Sequence, residues 1–245
     1  MDNTVKEPLI HLSKREDMSF GKKWLVRIIA ILLSLIVCAG FIFIIIKMNP
    51  VEVYEGIVEG AVGTGRRFWV TARDALTLLC VAVAVTPAFK MKFWNIGAEG
   101  QILMGCVASA AMMIYAGNAL PTGLLLVLMF VCSFIAGGIW GIIPAFFKAR
   151  WNTNETLFTL MLNYVAMQVV TFCIVYWENP AGSNSVGIIN APTRAGWLPQ
   201  LFGLDYGWNL AIVLLLTVLM FIYMKRTKHG YEIAVVGESE NTARY

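Results

Sequence analysis

The chain has 245 residues, 58% of them hydrophobic and only 14% charged, with a mean hydropathy of +0.70. A soluble domain carries about 25% charged residues and cannot bury this much apolar surface, so the composition excludes a soluble protein and defines an integral membrane one. The net charge is +4, and the basic residues stand at the ends of apolar runs (Lys14-Arg15, Lys22-Lys23, Lys148 and Arg150, Lys225-Arg226 and Lys228), a pattern of membrane topology rather than of a nucleic-acid face.

Met1–Lys23 is polar and reads as a cytoplasmic tail. The first apolar run, Trp24–Ile46, is long enough for the roughly 20 residues that a bilayer crossing needs, and it has neither the short apolar region nor the small-residue cleavage site of a signal peptide. In the connection that follows, Val51, Tyr54, Ile57 and Val58 fall at helical spacing and predict an amphipathic helix lying on the membrane surface. The second run, Leu76–Ala88, is short and ends beside Pro87, which predicts a re-entrant or broken span. Extending it backwards would bring Arg73 and Asp74 to the interface.

Between this run and the third, Ile102–Ala116, lies Pro87–Gln101, with a carboxylate (Glu99), two amides (Asn95, Gln101) and two glycines (Gly97, Gly100). An unpaired polar group in hydrocarbon costs several kcal/mol, so this stretch either turns at the interface, lies packed in protein or lines an aqueous cavity. The third run is rich in Gly, Ala and Ser, as close helix–helix approach in lipid requires. The fourth, Gly123–Phe147, contains Gly137-x-x-x-Gly141, a helix-packing groove, and Pro144. Asn154 or Thr153 is positioned to cap the fifth run, Leu157–Trp177. Within it Thr156, Thr159 and Asn163 share a helical face. An amide this deep needs a partner, so Asn163 faces the bundle or a cavity; glue between helices is the commoner role and substrate contact the rarer. Glu178–Gly207 is a long polar connection rich in turn formers, and the sixth run is Trp208–Met224. The five cysteines all lie in apolar runs without CxxC pairing and read as reduced small hydrophobes, with no metal-ligand spacing.

Phe93-Trp94-Asn95-Ile96-Gly97-Ala98-Glu99-Gly100-Gln101 resembles the F-N-I-G-A-E-G-Q signature of permease subunits of bacterial ABC importers, in the nucleoside and simple-sugar branch related to ribose and branched-chain amino-acid permeases. Trp94 is the departure, an added aromatic. A second stretch, Lys228–Tyr245, resembles the cytoplasmic coupling loop of the same family, with Gly230, Val236, Gly237, Glu238, Ala243, Arg244 and Tyr245 at matching positions. Ala234-Val235 stands where the family often has Arg-Ala. The resemblance covers nearly the whole chain from the first run onward.

What it implies is an all-α polytopic membrane protein of about six transmembrane helices, one of them short or broken. Residues 1–23 would be a cytoplasmic tail, 24–224 the permease domain and 225–245 an incomplete coupling loop. Family members continue with further spans, so the chain reads as a fragment or a truncated product. The implied function is passage of a small polar solute, a nucleoside first and a simple sugar second, across the bacterial plasma membrane with the N-terminus inside. Four of the segments then inside are basic; the connection with Lys47, Arg66, Arg67 and Arg73 is discordant. The implied partners are an ATPase subunit, a second permease subunit, an extracellular or periplasmic solute-binding protein and the bilayer, with no nucleic acid. The chain itself is expected to catalyse nothing and hold no cofactor or metal. Its sequence has no G-x-x-x-x-G-K-[ST] loop, so ATP and Mg would be used by the partner ATPase. Asn95, Glu99, Gln101 and Asn163 are the expected pathway or gate; Gly230, Glu232, Val236, Gly237, Glu238, Ala243 and Arg244 the expected ATPase contacts, where Gly237→Pro or Glu238→Lys should abolish uptake but not insertion. A membrane enzyme is the weaker reading, because Glu99, Glu155 and His229 have no nucleophile or metal spacing. A secondary transporter with Glu99 as its proton site is the third.

Overall fold

The computed structural model describes residues 19–201, 203 and 206–238. Most of the N-terminal tail and the last part of the coupling loop, including Ala243, Arg244 and Tyr245, lie outside the described residues. Among the described residues every extended element is helical, as expected where backbone polar groups must be satisfied without water, and six helices are long and apolar enough to cross a membrane. The chain divides into two units, Met1–Phe68 and Trp69–Tyr245.

In the first unit, α1 (Phe20–Phe41) runs into a single π-helical turn at Ile42–Ile46 and stops at Lys47, whose φ of 61° turns the chain out of the helix. The expected amphipathic segment is α2 (Pro50–Val62), opened by Pro50 at its first position and capped by the Asn49 side chain, which accepts from the Val51 N–H at 3.0 Å. The Tyr54 hydroxyl donates to the Leu35 carbonyl at 2.6 Å, in the middle of the first apolar run, so α2 folds back along α1.

The helix α3 (Gly65–Lys90) begins at the end of the first unit and continues through the second. This corrects the expectation of a short or broken second span: the helix is a continuous 26 residues. Arg73 and Asp74, which made the run look short, bond each other at 2.8–2.9 Å, and the Arg73 guanidinium lies over the Tyr206 ring at 5.5 Å. Paired charges near a helix end are tolerated where a lone one is not. Pro87 falls in the last turn, so the i→i−4 bond that its missing N–H forgoes is lost near the helix end and not in mid-span.

The second unit goes on with α4 (Ala98–Ala116), α5 (Thr122–Trp151), α6 (Glu155–Tyr176), α7 (Gly207–Arg226) and α8 (Lys228–Glu238). Packing centres on α4, which lies against both α5 and α6. Gly105 brings α4 close to α5, where Ser133 donates to the Gly105 carbonyl at 2.9 Å and meets the Ser109 hydroxyl at 2.6 Å. Asn154 caps α6, accepting from Leu157 at 3.2 Å, and Lys148 pairs with Glu155 at 3.0 Å across the α5–α6 turn. Large apolar side chains are mostly exposed, because in lipid there is no drive to bury them.

The connection 177–206 is not a loose linker. Ala195 and Gly196 are buried, Gly196 with φ +80° and close to Met113, Leu125 and Met129. The Asn190 amide donates to the carbonyls of Met113 and Ala195 at 2.8 and 3.1 Å. Leu125 beneath it is fully buried.

Candidate functional site

The polar stretch after α3 folds as a tight turn and a helix start. Lys92 adopts a left-handed φ of 59°, and the Asn95 side chain accepts from the Gly97 N–H at 2.9 Å, an Asx-type turn that leads into α4. Two of the three readings open for this stretch therefore hold at different residues: one face is packed in protein and another lines a cavity.

The packed face is built on the glycines. A Cβ at Gly97 would lie 2.9 Å from the Thr159 Cβ, and one at Gly100 would lie 2.9 Å from both the Asn163 Oδ1 and the Trp140 Nε1. Thr159 and Asn163, one turn apart on α6, are 0% and 3% exposed. Asn163 uses both ends of its amide on the motif: Oδ1 accepts from the Gly100 N–H at 2.9 Å and Nδ2 donates to the Ile96 carbonyl at 3.0 Å. The Gly100 N–H is one of the donors that the first turn of a helix leaves unpaired, and the Ile96 carbonyl lies in the turn just before it. The Trp140 Nε1 is buried beside them with no partner among the described residues.

The other face opens on a cavity of about 800 Å³ that follows α4 from Asn95 to Met113, with α3 and α5 as its walls. Asn95 and Gln101 line it, together with Ser109 and Ser133 and the rings of Phe130 and Phe134. Gln101 sits across α5 at the G-x-x-x-G groove: a Cβ at Gly137 would meet its carbonyl at 3.1 Å, and one at Gly141 its Nε2 at 2.9 Å. Its side-chain amide forms no hydrogen bond among the described residues. Glu99 is exposed in the first turn of α4, where a carboxylate suits the helix dipole, and does not line the cavity. Of the four residues expected in a pathway, the structure thus brings two to the cavity, gives one to packing and leaves one outside. Trp140, Ser109 and Ser133 were missed: a tryptophan and two serines in apolar runs give no signal until their neighbours are known.

At the same end of the bundle lies α8. Gly230 and Gly237, seven residues apart, share a face and are both buried. A Cβ at Gly230 would overlap the Tyr223 and Met224 carbonyls at the end of α7, and one at Gly237 the Lys90 carbonyl at the end of α3. Val236 is half-buried, while Glu232 and Glu238 are exposed. Glu232 pairs with Lys228 at 3.6 Å and lies 3.2 Å from His229 Nδ1.

Among the described residues, six helices long and apolar enough to cross a membrane, with a glycine-built α4–α6 junction and the short α8 in the second unit, define a multi-pass helical membrane protein. The chain belongs to the family of branched-chain amino acid transport system permease components, which matches residues 69–245. It is 29% identical over 234 residues to a nucleoside ABC transporter permease protein of Lactococcus lactis subsp. cremoris, covering 91% of this chain and 63% of that one. It is 28% identical over 228 residues to the guanosine ABC transporter permease protein of Bacillus subtilis, covering 90% and 63%. It is likewise 28% identical over 228 residues to a glucose ABC transporter permease protein of Haloferax volcanii, covering 86% and 58%. The chain spans about three fifths of the length of these relatives. No solved structure matches it.

Proposed function

We propose that this chain is the membrane permease subunit of an ATP-driven importer that carries a small polar solute, a nucleoside first and a simple sugar second, through the plasma membrane. The observation that carries the reading is α8: its glycine face is fixed to the ends of α3 and α7, so a force on its outer face moves those helices as a body. Glu232, Glu238 and the half-buried Val236, with Gly230 and Gly237 as the clamp, are the contact for a separate ATPase subunit; Ala243 and Arg244, outside the described residues, are assigned to it by the family motif alone. ATP and Mg belong to that subunit, since no phosphate-binding loop occurs in this sequence. A second permease subunit and an external solute-binding protein complete the assembly. Lys90, Lys92, Lys148, Arg150, Lys225, Arg226 and Lys228 all stand at the α8 end, which supports a cytoplasmic α8 and N-terminus.

The solute path follows α4, with Asn95 and Gln101 presenting amides to it and Asn163 holding its wall in place, while Glu99, the fourth residue expected there, stands outside the lining. Two of the relatives above are named for nucleosides and one for glucose, and the rings of Phe130 and Phe134 suit a planar base. A proton-site role for Glu99 has less support, because an exposed carboxylate lacks the buried setting that such a site needs. The test is uptake of labelled uridine and of labelled glucose into vesicles that hold the assembled transporter. Uptake that requires ATP hydrolysis supports the proposal; uptake driven by a proton gradient alone overturns it.

A further inference from the structure

At the end of the bundle opposite α8, the C-terminal ends of α4 and α6 and the connection after α6 border a second, open pocket of about 550 Å³. Tyr115, Tyr176 and Trp177 form its aromatic wall, Glu178 and Asn190 its polar one. The Trp177 Nε1 donates to the Tyr115 hydroxyl at 2.8 Å, which ties the two side chains together and leaves the tyrosine its own proton to donate. Asn190 spends both amide hydrogens on the Met113 and Ala195 carbonyls, so its Oδ1 is an acceptor without a partner among the described residues. The Glu178 carboxylate is taken up by the backbone N–H groups of Gly182 at 2.6 Å and Asn184 at 3.2 Å, so it shapes the loop and keeps its charge in the wall. Ile189 lines this pocket and also the cavity along α4; no other side chain belongs to both linings among the described residues.

The geometry points to this pocket as an outer vestibule that receives the solute before it passes to the cavity along α4, with Ile189 as the partition between them. The inference rests on the permease reading. Clustered aromatic rings with one free donor and one free acceptor among the described residues suit a flat or chair-like neutral ring bearing hydroxyls, which stacks on a ring face and hydrogen-bonds at its edge. The carboxylate in the wall repels an anion, so the class is a nucleoside or free sugar and not its phosphate. Nucleoside and sugar share this chemistry, and the two uptake probes separate them.

The test is the kinetics of uridine and glucose uptake by the assembled transporter, with uridine monophosphate as competitor and membrane levels of each variant measured. Trp177→Ala is expected to raise KM about tenfold for the transported probe with kcat held within about twofold, because a vestibule contact is lost before the rate-limiting step. Trp177→Phe, which keeps a stacking face, restores most of the affinity, and uridine monophosphate does not compete. Ile189→Trp, which thickens the partition, lowers kcat and leaves KM in place. An unmoved KM in Trp177→Ala at normal membrane level, or competition by uridine monophosphate equal to that of uridine, overturns the vestibule and leaves the permease reading standing. Failure of the unaltered chain to take up either probe removes that reading and the vestibule with it.

Discussion

Asn163 in α6 and Gly100 in α4 meet through a single buried contact: the asparagine Oδ1 accepts from the glycine N–H at 2.9 Å, while the same amide donates to Ile96 at 3.0 Å. One side chain thereby satisfies two backbone groups at the start of the motif helix. Asn163→Leu keeps the volume close and orphans both groups, at about 1–3 kcal/mol each. Thermal unfolding in detergent should show a clear loss of stability. An unchanged midpoint would mean that water or another group takes over both bonds.

The glycine side of that contact gives a separate prediction. Gly100→Ala puts a Cβ 2.9 Å from both Asn163 Oδ1 and Trp140 Nε1, so one of them must shift. Overpacking of this kind costs about 1–3 kcal/mol. Gly123→Ala, with nothing within 4 Å of the added carbon, is the control and should be neutral or stabilising by up to about 1 kcal/mol, the helix-propensity gain. Equal effects at the two positions would show that propensity and not packing governs the change.

Gln101 contrasts with Asn163. Its amide faces the cavity unbonded, so Gln101→Leu should change stability by less than about 0.5 kcal/mol yet weaken uptake of the solute. Stability loss as large as that of Asn163→Leu would assign it to packing instead. Uptake kinetics and unfolding on the same preparation separate the two.

Much of this was legible beforehand. Apolar run length gave six crossing helices, and the G-x-x-x-G run gave the groove that α5 offers to α4. The spacing of Thr159 and Asn163 gave one buried face. What a linear reading could not supply was pairing. The second span looked broken because its apolar run is short and ends beside Pro87, and extending it backwards takes in Arg73 and Asp74; in space these two charges pair with each other beside Tyr206 and the helix runs on through them. Gly97 and Gly100 read equally well as turn formers or packing residues, and only the approach of Thr159 and Asn163 decides between these. The connection after α6 reads as turns from its Pro, Gly and Asn content, yet Ala195 and Gly196 are buried in it; small residues carry little signal for burial on their own.

The central claim is that α8 is the surface through which a separate ATPase subunit drives the spans. Its most direct test is co-purification of the detergent-solubilised chain with the ATPase subunit of its transporter, for the unaltered protein and for Gly237→Ala, which drives a Cβ into the Lys90 carbonyl and lifts α8 from its seat. The account predicts that the unaltered chain retains the ATPase subunit and that the variant, inserted in the membrane at the same level, loses it. A folded, unaltered chain that never retains the subunit, or a variant that retains it in full, would contradict the claim.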